Sequence, residues 1–404
     1  MQRRTFMKLA GTAAAVALAS PAIAKDVTVR WWYHLDDPRK SPSDLIKKFE
    51  AANPGIKIEA ENIPWGGGGD YYNRLFAALA AGTAPDCAIL KVNNQSQLMK
   101  MGVLAPMDEY LNDWAGRSDI PDDIWRLVVG ADGQQYYLPL HYVILYLYYR
   151  VDRFAEVGLE PPKTFDDFTN AAQELTGGDR YGFGMRSAAG GYDNWGPFVL
   201  GDGASFEKGG LITEEALAAN RRYVNLALEK KVVPPSAAAD GFRQIIDGFK
   251  AGRTSMIINH LTTANEIVES LGDNVSAVPV PRQPGRDGWT VYGDESNGIF
   301  RTSANKEAAF KWIAFLSEGE NNADWCRQSS QFPVVSSAAD NWNLHGRRFV
   351  DASVQSLPFA QVLPRSTKTA DFTRTVWQAN MQRALLGQIS PDDMMRNYEA
   401  HFHG

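Results

Sequence analysis

The sequence predicts an α/β protein of two lobes, each an α/β sheet with flanking helices, and a ligand cleft between them. Three observations lead there. Strand-like and helix-like segments alternate with short connections from residue 27 to residue 102, which implies parallel pairing with helices on both faces of an open sheet. The chain, at 404 residues, is too long for one hydrophobic core. An aromatic-rich run over residues 136–149 reads as the first passage into a second lobe.

Taken in order, residues 27–32 are apolar and β-branched, suited to a buried strand. Ser41 is placed to cap a helix with Pro42 at its first position and Leu45, Ile46 and Phe49 as its buried stripe. A second strand over 56–63 runs into Pro64, Trp65 and four glycines, and Asp70 is placed to cap a helix that stops at Gly82. A third strand over 87–92 ends in Asn93 and Asn94. Ligands of open α/β sheets bind beyond the carboxyl ends of the strands. The loops at His34, Trp65 and Asn93 are therefore expected along one crevice. Helices follow over residues 165–176, 214–230 and 305–316. Residues 25–137 with 279–330 are expected in the first lobe, and 138–278 with 331–404 in the second.

The N-terminus has the form of an export signal. Residues 1–8 are cationic, residues 9–20 are apolar and Ala-rich, and Ala22-Ile23-Ala24 is an A-x-A cleavage site. Residues 1–24 are thus expected to be removed and the mature protein to work in the periplasm. The order Arg3-Arg4-x-Phe6-x-Lys8 resembles a twin-arginine signal, with Gln2 where Ser or Thr is usual. An ordinary secretory signal with two arginines is the alternative.

The 41 basic and 47 acidic residues become 38 and 47 without the signal, a net charge of −9. That balance argues against nucleic acid or anionic membrane as a partner. Cys87 and Cys326 lie in no CxxC or metal-ligand spacing and are expected as buried free thiols, although the compartment permits a disulfide. Enzyme signatures are scarce. Ser303-x-x-Lys306 lacks the companion motifs of a serine acylase, and the glycine run lacks the Lys-Ser/Thr of a phosphate loop. Ser303 is expected to cap a helix. No cofactor is implied.

Six segments, in order, resemble the family-1 extracellular solute-binding proteins. They are Phe49-Glu50-Ala51-Ala52-Asn53-Pro54-Gly55-Ile56, Leu79-Ala80-Ala81-Gly82-Thr83-Ala84-Pro85-Asp86, Gly102-Val103-Leu104-Ala105-Pro106-Met107-Asp108, Tyr148-Tyr149-Arg150, Gly158-Leu159-Glu160-Pro161-Pro162-Lys163-Thr164-Phe165 and Asn305-Lys306-Glu307-Ala308-Ala309. The resemblance implies a type II-like periplasmic binding fold that closes on a carbohydrate. It also implies a monomer that docks on the inner-membrane permease of an ATP-driven importer and does no chemistry. An exported glycan-active enzyme and a component presenting ligand to a chemoreceptor are the alternatives. The chain departs from the family after Asn259, where His260, Leu261 and Thr262 replace a common Gly-Pro-Trp. A stacking aromatic is thus missing, which favours a smaller or more polar ligand than a maltodextrin.

A sugar presents hydroxyls in fixed directions and weakly apolar faces, so its receptor needs planar donors and acceptors with aromatic plates. Trp65, beside a glycine run, faces ligand or packs as an indole beneath its loop. His34 and Asp36 line the same crevice or lie in a solvated loop, and Asn93 and Asn94 contact ligand or form a turn. In the second lobe the candidates are His141, Trp195 in the glycine loop, His260 and Thr262. The resemblance implies a cleft loop over residues 289–298 that offers Tyr292 and Glu295, or Asp294, to an open, wet site, with an exposed acidic turn as the alternative. Arg365 is a candidate clamp for an anionic substituent.

Overall fold

The computed structural model describes residues 26–35, 40–63, 69–91, 94–339, 342, 345 and 347–404. Asp36, Trp65, Asn93 and the export signal lie outside the described residues.

Strands β1 (Val27–Tyr33), β2 (Ile56–Asn62) and β3 (Cys87–Lys91) form the first sheet in the order β2-β1-β3, all parallel. The next strand beside β3 is β8 (Thr290–Ile299), which runs antiparallel, so the sheet is mixed. Residues 290–298 are therefore strand and not the loop expected from sequence. Their ladder to β3 runs from Cys87 against Ile299 to Lys91 against Glu295. The helix Ser43–Ala52 buries Leu45 and Phe49 as its pattern predicts. Pro42, not Ser41, occupies its cap position, with no side-chain cap.

The long strand β4 (Leu138–Arg150) joins the two halves of the molecule. Residues 138–144 pair with β8 and pack in a first core that contains Trp31, Trp312 and Trp325. From Leu145 onward the same strand pairs with β6 (Thr254–His260) and β7 (Val275–Val278). There its side chains alternate with period two. Leu145 and Leu147 enter a second core with Phe168, Trp195 and Trp377, while Tyr146 and Tyr148 enter a third with Phe249 and Phe349. Burial on both faces explains an apolar run without alternation.

β8 changes cores at the matching step. Tyr292 packs in the first core and Val291 in the second, and Tyr292 is the register partner of Ile144. Both crossing strands thus leave one lobe and enter the other at a single paired position. Beyond it, β5 (Tyr181–Gly184) lies parallel to β6. Two further short strands complete the sheet: β9 (Phe332–Pro333) on β4 and β10 (Ala360–Gln361) on β8.

Cys87 and Cys326 are free and buried, as expected from the sequence. The helix expected from residue 165 spans Phe165–Glu174 and starts in a capping box between Thr164 and Asp167. Ser303 is not the cap of helix Lys306–Leu316, a position held by Asn305. Its hydroxyl donates to Asp86 at 2.6 Å and accepts from the Asn305 amide at 3.0 Å.

Candidate binding cleft

The carboxyl ends of β1 and β3 and the middle of β4 and β8 converge on one buried carboxylate. Glu295 Oε1 is 2.8 Å from Lys91 Nζ, and its Oε2 is 3.2 Å from His34 Nε2 and 3.0 Å from His141 Nε2. The Glu295 residue is only 4% exposed, so the open, wet setting expected from sequence is corrected. Burial opposes its ionisation, yet His34, Lys91 and His141 together hold the carboxyl well below the usual range. Burial lowers His34 to about 4, with Glu295 opposing and Lys91 and His141 assisting. His34 is therefore neutral at neutral pH, and Lys91 carries the balancing charge. His141 is fixed from behind, where Trp325 Nε1–H donates to its Nδ1 at 2.8 Å. Tyr71, edge-on to His34 at 5.5 Å, donates to the Ile89 carbonyl at 2.7 Å.

The second lobe faces this cluster with the carboxyl ends of β5 and β6. After β5 the chain turns through Arg186 into the helix Tyr192–Val199, whose first turn carries Asp193. Arg186 lies over the Phe242 ring at 5.4 Å, and Phe242 stacks on His260 at 5.6 Å. Burial raises the Asp193 carboxyl to about 6 against the pull of Arg186 and Lys91. It lowers His260 to about 3, with Lys91 and Arg186 assisting. Lys91 of one lobe thus acts electrostatically on Asp193 and His260 of the other. Asp193 Oδ1, His260 Nδ1 and Asn259 Nδ2 are buried without a hydrogen-bond partner among the described residues. A buried polar atom left so is costly unless something else satisfies it.

Of the residues singled out from sequence, His34, His141 and Glu295 come together, and His260 faces them. Asn94 is buried at the start of helix Gln95–Lys100, and its side chain makes no cap bond. Thr262 accepts from the Gln331 amide. Tyr292 is 1% exposed and stacks on Tyr142 at 6.1 Å inside the first core.

Trp195 is not a cleft plate. It is 1% exposed, donates from Nε1 to Asn220 Oδ1 at 2.8 Å and meets Tyr398 edge-on, because the glycines before it lead into a helix that turns the indole into the second core. Arg365 is no anion clamp here, since its guanidinium is committed to the carbonyls of Arg126, Leu127 and Val129. Sequence reasoning missed Lys91, Arg186, Asp193 and Trp325. Lys91 and Asp193 each stand two residues from a position that it did select, Asn93 and Trp195.

The model of the bacterial extracellular solute-binding proteins matches residues 35–323. The chain belongs to this family. Among curated relatives of this solute-binding protein, one described as a binding protein of Brucella abortus is 28% identical over 403 residues, spanning 95% of this chain and 94% of its own. The maltotriose-binding protein of Pyrococcus abyssi is 22% identical over 335 residues, 80% of this chain and 70% of its own. Solved structures share the fold. A solute-binding protein of Thermotoga lettingae bound with α-D-tagatose has a TM-score of 0.79 at 23% identity, covering 93% of this chain and 98% of its own. Maltose-bound MalE3 of T. maritima has a TM-score of 0.80 at 19% identity, with the same coverage.

Proposed function

We propose that this solute-binding protein is the periplasmic receptor of an ATP-driven importer and carries a carbohydrate of one to three residues to an inner-membrane permease. The observation that carries the reading is the presence of two sets of buried, directional polar groups, one from each lobe, linked by the charge of Lys91. Lys91, His34, His141 and Glu295 stand on one side, and Asp193, Asn259 and His260 on the other. A sugar hydroxyl both donates and accepts, so one ligand can satisfy Asp193 Oδ1 and Asn259 Nδ2 together. Relatives named for maltotriose and lactose support this choice of ligand class.

The role is binding without turnover, performed by a single copy of the chain. Export through a cleaved signal at residues 1–24, of twin-arginine type, belongs to the same reading, as do contacts of Asp36, Trp65 and Asn93 with the ligand. The packing supports a lobe boundary inside β4, between Ile144 and Leu145, rather than before Leu138.

Native mass spectrometry of the protein purified from its own host tests the ligand class. A retained mass of a mono- to trisaccharide is expected, and an amino acid, peptide or bare metal ion in its place overturns the reading. Incubation with a library of sugars and glycosides, followed by thermal shift and product analysis, separates receptor from hydrolase. Stabilisation without product is expected.

A further inference from the structure

One face of the two crossing strands changes character in three steps. Successive side chains of a strand alternate, so His141, Val143 and Leu145 of β4 share a face, as do Glu295, Gly293 and Val291 of β8. His141 is the register partner of Glu295, and Val143 of Gly293. His141 and Glu295 are buried in the carboxylate cluster of the first lobe, while Leu145 and Val291 are buried in the second core. Between these two buried ends, Val143 and Gly293 are partly exposed. The opposite face is closed at the same step, since Tyr142, Ile144 and Tyr292 pack in the first core. Val143 and Gly293 therefore form a floor between the lobes, backed by packed side chains. The Glu295 cluster bounds it at one end, and His260, the register partner of Leu145, at the other.

The backbone does not call for a glycine at 293. The residue lies in a regular antiparallel ladder and outside the left-handed region, and a glycine inside a strand weakens it. A methyl group added at Gly293 would have its three nearest neighbours in the register partner: Val143 Cβ at 3.3 Å, its carbonyl oxygen at 3.6 Å and its Cγ1 at 3.8 Å. Gly298 of the same strand is different. A methyl there would meet Leu90 Cδ1 at 2.6 Å and Leu104 Cδ2 at 3.4 Å, both in the first core. Gly298 thus makes room for the core, whereas Gly293 makes room on an exposed floor.

We propose that Gly293 is the seat of the ligand, a specificity-determining position where a sugar ring rests one C–H face on bare backbone and on the methyl groups of Val143. The proposal rests on the carbohydrate reading of the cleft. A strand glycine lets a ligand approach the backbone closely, and here its missing side chain sets the depth at which the ring's hydroxyls meet the Glu295 cluster.

Titration calorimetry with a panel of mono- to trisaccharides, tagatose, lactose and maltotriose among them, tests it on wild type, Gly293→Ala, Val143→Gly and the double variant. In the double variant the 3.3 Å contact with Val143 Cβ is gone, so the added methyl obstructs the ligand and not the partner strand. Adding Gly293→Ala is expected to weaken binding about tenfold or more in either background. Wild-type affinity in Gly293→Ala, or a double variant that binds like Val143→Gly, overturns the seat and leaves the glycine a device for clearing Val143. Alkylation of Val143→Cys by iodoacetamide needs no ligand. Cys87 and Cys326 are buried, so label taken up by the folded variant and not by wild type is the expected result. No uptake closes the floor and overturns the seat alone. Uptake with no sugar bound by wild type overturns the carbohydrate reading, and the sugar seat with it.

Discussion

Trp325 Nε1–H donates to His141 Nδ1 at 2.8 Å, and this bond decides which nitrogen of His141 faces the cleft carboxylate. With Nδ1 accepting, the ring proton sits on Nε2, which lies 3.0 Å from Glu295. Replacing Trp325 by Phe keeps most of the ring and removes the donor. We expect a loss of about 1–3 kcal/mol and a mixture of His141 tautomers in nitrogen-15 spectra. A single unchanged tautomer in Trp325→Phe would show that Glu295 alone orients the ring.

Glu295→Gln removes the buried carboxylate that pairs with Lys91, His34 and His141. The unliganded protein is expected to lose about 1.5–3 kcal/mol in urea denaturation at pH 7. This reverses the expectation for an exposed acidic residue, which would give an unchanged midpoint.

Acid should weaken the fold through His34. Its folded value, about 4, lies below its ordinary 6.5, so the unfolded chain binds more protons between these limits. Stability contributed by neutral His34 is present above pH 6.5 and is lost as pH falls towards 4. The loss between pH 7 and pH 5 is about 2 kcal/mol, and His260 acts in the same direction. Melting curves across this range should show the fall, with a shallower slope in His34→Gln.

Asp193 works with the opposite sign. Its carboxyl, raised to about 6 from 3.8, holds a proton in the folded state that the unfolded chain has released. Its contribution is present below pH 3.8 and is lost as pH rises through 6. Asp193→Asn should therefore match wild type near pH 4 and become the more stable of the two as pH approaches 7. If Asp193 Oδ1 accepts a ligand hydroxyl, titration calorimetry of Asp193→Asn should show weaker binding without the wild-type pH dependence near 6.

Trp195→Ala separates core from site. Its burial against Tyr398 and its bond to Asn220 predict a destabilisation of about 3–5 kcal/mol. Trp195→Phe, which keeps a ring in the second core, should bind ligand with wild-type affinity. A tenfold weaker affinity with unchanged stability would return Trp195 to the cleft.

The sequence by itself determined the alternation of β1, β2 and β3 with helices, their parallel pairing and the edge at which His34 emerges, because hydrophobic period and turn residues are local signals. It also marked the run from Tyr136 as a crossing, since a strand buried on both faces cannot alternate. Tertiary structure alone decided the rest. Lys91 reads as an ordinary strand-end lysine until β8 places Glu295 beside it, 204 residues further on in the chain. Trp195 follows two glycines, which suit a loop and a helix start equally, and only the space left by Tyr398 turns its indole inward. Arg365 and Glu295 are charged residues whose partners come from other segments, and charge, unlike hydrophobic period, leaves no local mark of where its partner lies.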